Sequence, residues 1–253
     1  MIDEPLIPEP APPAQFWSGW DVLLSLIGSG LIFAIGLLLL NFGARRLGEA
    51  SYLQRNISLF WSVGLGFLEG AALLGGVFLF GLRQRWAAWR EVFGARLSRP
   101  WNLIALISGV LAIFASSLAA GVIQAVLRRT PYNPQLDFLA PGGFSWPALL
   151  GMLATGGLIA PLAEEIFFRG LIHRWLRQRM HFWPAAILSA LLFGAAHVEI
   201  SVAGAAFLLG LLLAWLYERS GSLWAPITVH IINNAVKIIF LYIILYLGIP
   251  FTG

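Results

Sequence analysis

From Val22 to Leu40 no side chain is ionisable, and the same holds from Trp101 to Leu127. Such runs have few destinations. A helix of about 20 apolar residues crosses the roughly 30 Å hydrocarbon core of a bilayer and satisfies its own backbone hydrogen bonds there. Runs of this kind recur along all 253 residues, of which 59% are hydrophobic and only 11% charged. A soluble domain carries about 25% charged residues. The expected fold is therefore all-α: a polytopic transmembrane helical bundle of about seven spans, or eight if the last apolar run breaks near Lys237.

The punctuation between the runs is basic. Arginine supplies nearly all of the +4 net charge, because Lys237 is the one lysine. Arginines between apolar spans face anionic headgroups and set orientation, so lipid rather than nucleic acid is the expected partner. With a cytoplasmic N-terminus, inside loops would hold Arg83, Arg85, Arg90, Arg96, Arg99, Arg174, Arg177, Arg179 and Arg219. Outside loops would hold Arg45, Arg46, Arg55, Arg128 and Arg129. The positive-inside rule favours this N-in arrangement. The localisation implied is integral and multi-pass, the inner or plasma membrane in a bacterium. There is no cysteine, which removes disulfides, thiolate metal sites and a cysteine nucleophile.

Residues 1–20 hold five prolines and no basic residue, a composition expected of a disordered polar tail leading into an uncleaved first helix. Phe16, Trp17 and Trp20 then suit a membrane interface. The second span, Ile57 to Leu82, is interrupted by Glu69, which is weighted toward a hydrogen bond with a neighbouring helix over a proton relay. The proline-rich loop Arg128 to Gly143 divides the chain into N-terminal membrane helices, 21–143, and a chemical core, 144–253.

That core opens on an expensive cluster. Glu164, Glu165 and Arg169 lie within six residues of one apolar span, and each would cost roughly 2.5–3.5 kcal/mol at the centre of an isolated bilayer helix. Pro161 removes a backbone donor just before them, predicting a kink or a locally opened helix. At about 100° per residue Glu165 and Arg169 share a face and can pair, while Glu164 points elsewhere and is left available. Phe193 and His197 share a face of the fifth span, Phe182 to Val198, as do His230 and Asn234 of the last. Counting 1.5 Å per residue from the turn at 178–182 places Glu164 and His197 level, roughly 25 Å in. From the Ser220-Gly221 turn, His230 and Asn234 lie roughly 14–20 Å deep. His173 and His181 sit by the arginine-rich helix end and are expected at the interface. Glu199 is expected to cap a turn, and Lys237 to snorkel or to pair with a carboxylate.

Glu-Glu-x-x-x-Arg at 164–169, Phe-x-x-x-His at 193–197 and His-x-x-x-Asn at 230–234 together resemble the CPBP family of intramembrane proteases. That family includes the type II CAAX prenyl endopeptidases and the bacteriocin-processing or immunity proteins called Abi. The resemblance covers about Trp146 to Leu247 and implies a catalytic core drawn from the last four spans. It implies that Glu164 is the general base activating water for peptide hydrolysis, and that His197 holds the water or a metal. His230 and Asn234 would bind the water or stabilise the oxyanion. Glu165 and Arg169 would support them, and Phe193 would shape the pocket. The substrate implied is a prenylated or other membrane-associated peptide. No cofactor is required if Glu164 acts on water directly. The alternative is a zinc site of Glu164, His197 and His230, although the His-Glu-x-x-His helix of zincins is absent. The rival class is a non-enzymatic transporter or a peptide-binding immunity or scaffold protein. A carrier would show broken helices in both halves, whereas here the polar residues gather in the second.

Overall fold

A computed structural model of the chain describes residues 17–47, 57–81, 89–127, 138–140, 142–197 and 199–249. These residues build a helical bundle. α1 is Gly19–Leu47; α2 is Ile57–Gly76, continued by a π-helical turn, Val77–Gly81; α3 is the short Trp89–Phe93; α4 is Arg99–Val126. The long α5, Trp146–Arg177, is followed by α6, Phe182–Ala195, α7, Ile200–Ser220, and α8, Trp224–Tyr246. Six of these helices are long and apolar enough to cross a bilayer, and α6 is a shorter apolar helix. The protein is an integral multi-pass membrane protein.

Two expectations about the spans change. α8 runs unbroken through Lys237 to Tyr246, so no eighth span forms. The fifth run makes a helix of only 14 residues, about 21 Å long and shorter than the hydrocarbon core. Its C-terminal part, Ala196 and His197, is turn rather than helix. The proline-rich segment 1–16, most of the loop 128–143 and the arginines at 55, 83, 85, 128 and 129 lie outside the described residues. Trp17, expected at the interface, is instead buried, and its indole N–H donates to the Gly170 carbonyl at 2.8 Å. Trp20 is exposed, as an interfacial residue would be.

Helix ends follow local chemistry. Ser145 caps α5 by accepting from the Ala148 N–H, with Pro147 in the first turn. Glu199 caps α7 through the Val202 N–H, as expected of it. Gly221 ends α7 with φ of 63°, a left-handed conformation that costs glycine little. The next residues are pinned by α3: the Leu223 N–H donates to the Phe93 carbonyl and the Ser222 hydroxyl to the Ala95 carbonyl.

Packing shows the inside-out logic of a membrane bundle. On α4 the buried residues are small, namely Ala105, Gly109, Ala112 and Ser116, while Leu111, Phe114 and Leu118 stay exposed. Small inward residues let helices approach closely, and large apolar residues can face lipid at no cost. α4 lies against both α7 and α8, α6 against α7, and α1 along α2. α5 and α8 meet at the middle and carry the polar residues.

Candidate active site

On either side of Glu164 the long helix α5 departs from α winding, twice in all. Leu153–Ile159 and Ile166–His173 are π-helical, with the α-helical turn Ala160–Glu165 between them. In the first π segment the Ala160 N–H bonds the Thr155 carbonyl five residues back. The next bond in that register would run from residue 161 to Gly156, but Pro161 has no N–H. The Gly156 carbonyl is thereby left for another donor, and the Asn234 side-chain amide of α8 takes it at 3.3 Å. The helix opening predicted ahead of Glu164 is thus present, in the form of π turns.

The Glu164/Glu165 division also follows helical geometry. Glu165 is fully buried, and its Oε1 accepts from Arg169 Nη1 at 2.8 Å. Arg169 donates further to the Gly210 carbonyl of α7 and lies 4.4 Å over the Phe193 ring. Gly210 is needed for this approach, because a Cβ there would sit 3.0 Å from Ala190 and 3.3 Å from the Arg169 guanidinium. The pair is not closed on itself, however. Glu165 Oε1 also meets His230 Nδ1 at 2.8 Å. A carboxylate can only accept, so Nδ1 carries the hydrogen and Nε2 is turned toward Glu164 Oε2, 3.6 Å away.

His197 is held in the same fashion. Its Nδ1 lies 3.0 Å from the Phe193 carbonyl, which fixes the donating tautomer and leaves Nε2 as an acceptor in the neutral ring. Phe193 separates the two imidazoles, its ring 5.2 Å from His197 and 5.7 Å from His230, edge to face in each case. Glu164, His197, His230 and Asn234 all line one cavity of about 790 Å³. The expected supporting residue Phe193 lines it too, whereas Glu165 and Arg169 stand behind the wall.

Five further polar residues reach this cavity that sequence reasoning left without a role there: Glu69, Ser116, Glu199, Asn233 and Lys237. Glu69 of α2 interacts with Glu164 across it. Lys237 donates to Ser116 Oγ at 2.7 Å, Ser116 lies 3.0 Å from Asn233 Oδ1, and Asn233 Nδ2 donates to Asn234 Oδ1 at 2.9 Å. A polar chain therefore runs from Lys237 to Asn234 and on to Gly156. The signal for Lys237 and Asn233 was available, since 230, 233, 234 and 237 recur at helical spacing on one stripe. Ser116, on a different span, offered none.

Elsewhere, His173 is wholly buried rather than interfacial, 3.8 Å from Glu218, and Arg177 is buried beside it with Nε 2.8 Å from the same carboxylate. Lys237 neither snorkels nor pairs with a carboxylate among the described residues. Among those residues no three acid or imidazole groups converge as metal ligands. Glu164, His197 and His230 line the same cavity without standing as such a group, and the bond from His230 Nδ1 to Glu165 leaves Nε2 as that ring's open nitrogen.

Residues 145–236 match the family described as "Type II CAAX prenyl endopeptidase Rce1-like". The chain is 30% identical over 88 residues to "Putative membrane peptidase YdiL" of Bacillus subtilis, an alignment covering 35% of this chain and 36% of that protein. It is 28% identical over 183 residues to "Uncharacterized 24.3 kDa protein" of Escherichia coli, covering 70% of this chain and 80% of that one. The chain thus spans little more than a third of the first relative and most of the second. No solved structure matches. The matched segment contains Glu164, Glu165, Arg169, Phe193, His197, His230 and Asn234; Glu69, Ser116 and Lys237 fall outside it.

Proposed function

We propose that this chain, Rce1-like over residues 145–236, is an intramembrane endopeptidase in which Glu164 activates water to cut a membrane-associated, prenylated peptide. The observation that carries this is the array Glu164–His230–Glu165: a cavity-facing carboxylate beside an imidazole whose far nitrogen is anchored 2.8 Å from a second, buried carboxylate. Orienting a histidine through its other nitrogen is a recurrent means of holding it ready for proton transfer or donation.

In the reaction Glu164 takes a proton from water as the water oxygen adds to the scissile carbonyl carbon. His197 Nε2 accepts the other water hydrogen and aims the attack. Asn234, its amide tethered by Gly156 and Asn233, donates its remaining N–H to the oxyanion, where a preorganised donor in a site of low dielectric contributes most. His230 Nε2, an acceptor in the neutral ring, faces Glu164 and, backed by Glu165 at Nδ1, can share the proton that Glu164 takes from water and so carry positive charge as the intermediate forms. The C–N bond then breaks, the proton passes from Glu164 to the leaving nitrogen, and a carboxylic acid and an amine result. No metal or other cofactor takes part. The partners are lipid and the lipidated peptide, with no nucleic acid. Residues 144–253 form the catalytic unit, and 21–143 the helices that enclose it.

The test is cleavage of a farnesylated CAAX-type peptide by the purified protein, followed by mass spectrometry. Wild type is expected to cut, and Glu164→Gln to lose at least about a hundredfold in kcat, as removal of a general base does. A Glu164→Gln protein as active as wild type would overturn the mechanism. Binding without any cleavage would instead favour a peptide-binding scaffold.

A further inference from the structure

Lys237 is the cavity's lone ammonium among the described residues, and the reaction above makes no use of it. It sits within a membrane-crossing helix, where a cation is expensive without a counter-charge or a full set of acceptors. Its hydrogen bond among the described residues is to the neutral hydroxyl of Ser116, and no carboxylate there pairs with it. An ammonium has three hydrogens, so two remain for a ligand that enters the cavity.

Position says which ligand. Lys237 follows His230 by seven residues, so it lies on the same stripe of α8 two turns on, about 10 Å along the axis. An extended peptide advances about 3.3 Å per residue, so three residues span that interval. On the interval between them lie Asn233 and Asn234, each with one amide hydrogen beyond the chain to Gly156, and Phe138, Leu139 and Ile238 are apolar lining of the same cavity.

We propose that Lys237 is the anchor for the free C-terminal carboxylate of the bound peptide. The identity of that peptide as a substrate rests on the protease reading, though the binding does not. The Ser116 hydroxyl, itself 2.6 Å from the Ala112 carbonyl, holds the ammonium toward the cavity. Lys237 is thus a specificity residue that does not touch the reacting atoms.

Binding tests it without requiring turnover. The Glu164→Gln protein, reconstituted in lipid nanodiscs, is titrated with a fluorescent farnesylated peptide ending in a free carboxylate and with its C-terminal carboxamide. The acid is expected to bind about tenfold or more tighter, the scale of a charge-assisted pair. Adding Lys237→Met should bring the two affinities together, and adding Lys237→Arg should retain the preference. Equal affinities with Lys237 intact, a preference that survives Lys237→Met, or binding of neither peptide would each overturn the anchor. The acid/amide comparison on unaltered Lys237 stands even if Lys237→Met fails to fold. If wild type discriminates acid from amide yet cuts neither, the protease reading fails while the anchor holds.

Discussion

Two adjacent glutamates meet different surroundings because one residue step on a helix is about 100°. Glu164 looks into the cavity, while Glu165 is sealed behind it between Arg169 and His230. Glu165→Gln is therefore expected to do more than loosen the fold. It leaves Arg169 uncompensated in a buried setting, a loss of about 3–5 kcal/mol by comparison with broken buried pairs, and it lets His230 turn. The expected result is a lower melting temperature together with a fall in kcat that persists well below that temperature. A variant that melts early yet turns over normally in the cold would show that Glu165 serves folding alone. The Glu165–Arg169 pair was legible from the i,i+4 spacing. The second bond from Glu165 to His230 was not, because it joins positions 65 apart in sequence, and their meeting is decided by how α5 packs on α8.

At the scale of the element, α5 shows how a proline converts backbone into site. Pro161 predicts an opening from sequence, and the described helix answers with a π segment whose unclaimed Gly156 carbonyl tethers Asn234. Pro161→Ala supplies an N–H that competes for this carbonyl and lets the helix rewind. The expected outcome is a protein as stable as wild type or more so, with kcat reduced about tenfold or more as Asn234 loses its hold. Circular dichroism melts and turnover of the same preparation check both halves, and unchanged turnover would separate the tether from catalysis. The π winding itself cannot be read from composition, since its residues are as apolar as any span. Lys237 shows the opposite case: its periodicity with His230 was visible, but its partner Ser116 lies on α4, beyond the reach of any local pattern.

For the whole molecule, composition and run lengths were enough for an all-α membrane bundle, and they overestimated one span. The sequence from Phe182 to Ala196 carries no ionisable side chain, so hydropathy could not show that helix α6 stops at Ala195 and gives way to a turn. A helix of about 21 Å sits in a bilayer core of about 30 Å only by thinning it or by being sheltered by longer neighbours. Turnover is accordingly expected to depend on membrane thickness: highest in vesicles of short-chain phosphatidylcholine and falling as the acyl chains lengthen. A flat profile across chain lengths would mean that the surrounding helices fully absorb the mismatch.

The short α6 also bears on a supply problem. Each cycle of the proposed hydrolysis would consume one molecule of water, and the Glu164 carboxyl lies roughly 20 Å along α5 from Arg177, within an apolar span. Because α6 ends early, the turn bearing His197 and Glu199 is level with Glu164 and lines the cavity. Non-helical backbone at such depth persists where it is wetted or enclosed by protein. Under the proposed hydrolysis, the truncated helix would serve as an inlet, a sunken rim across which the second reactant is replenished.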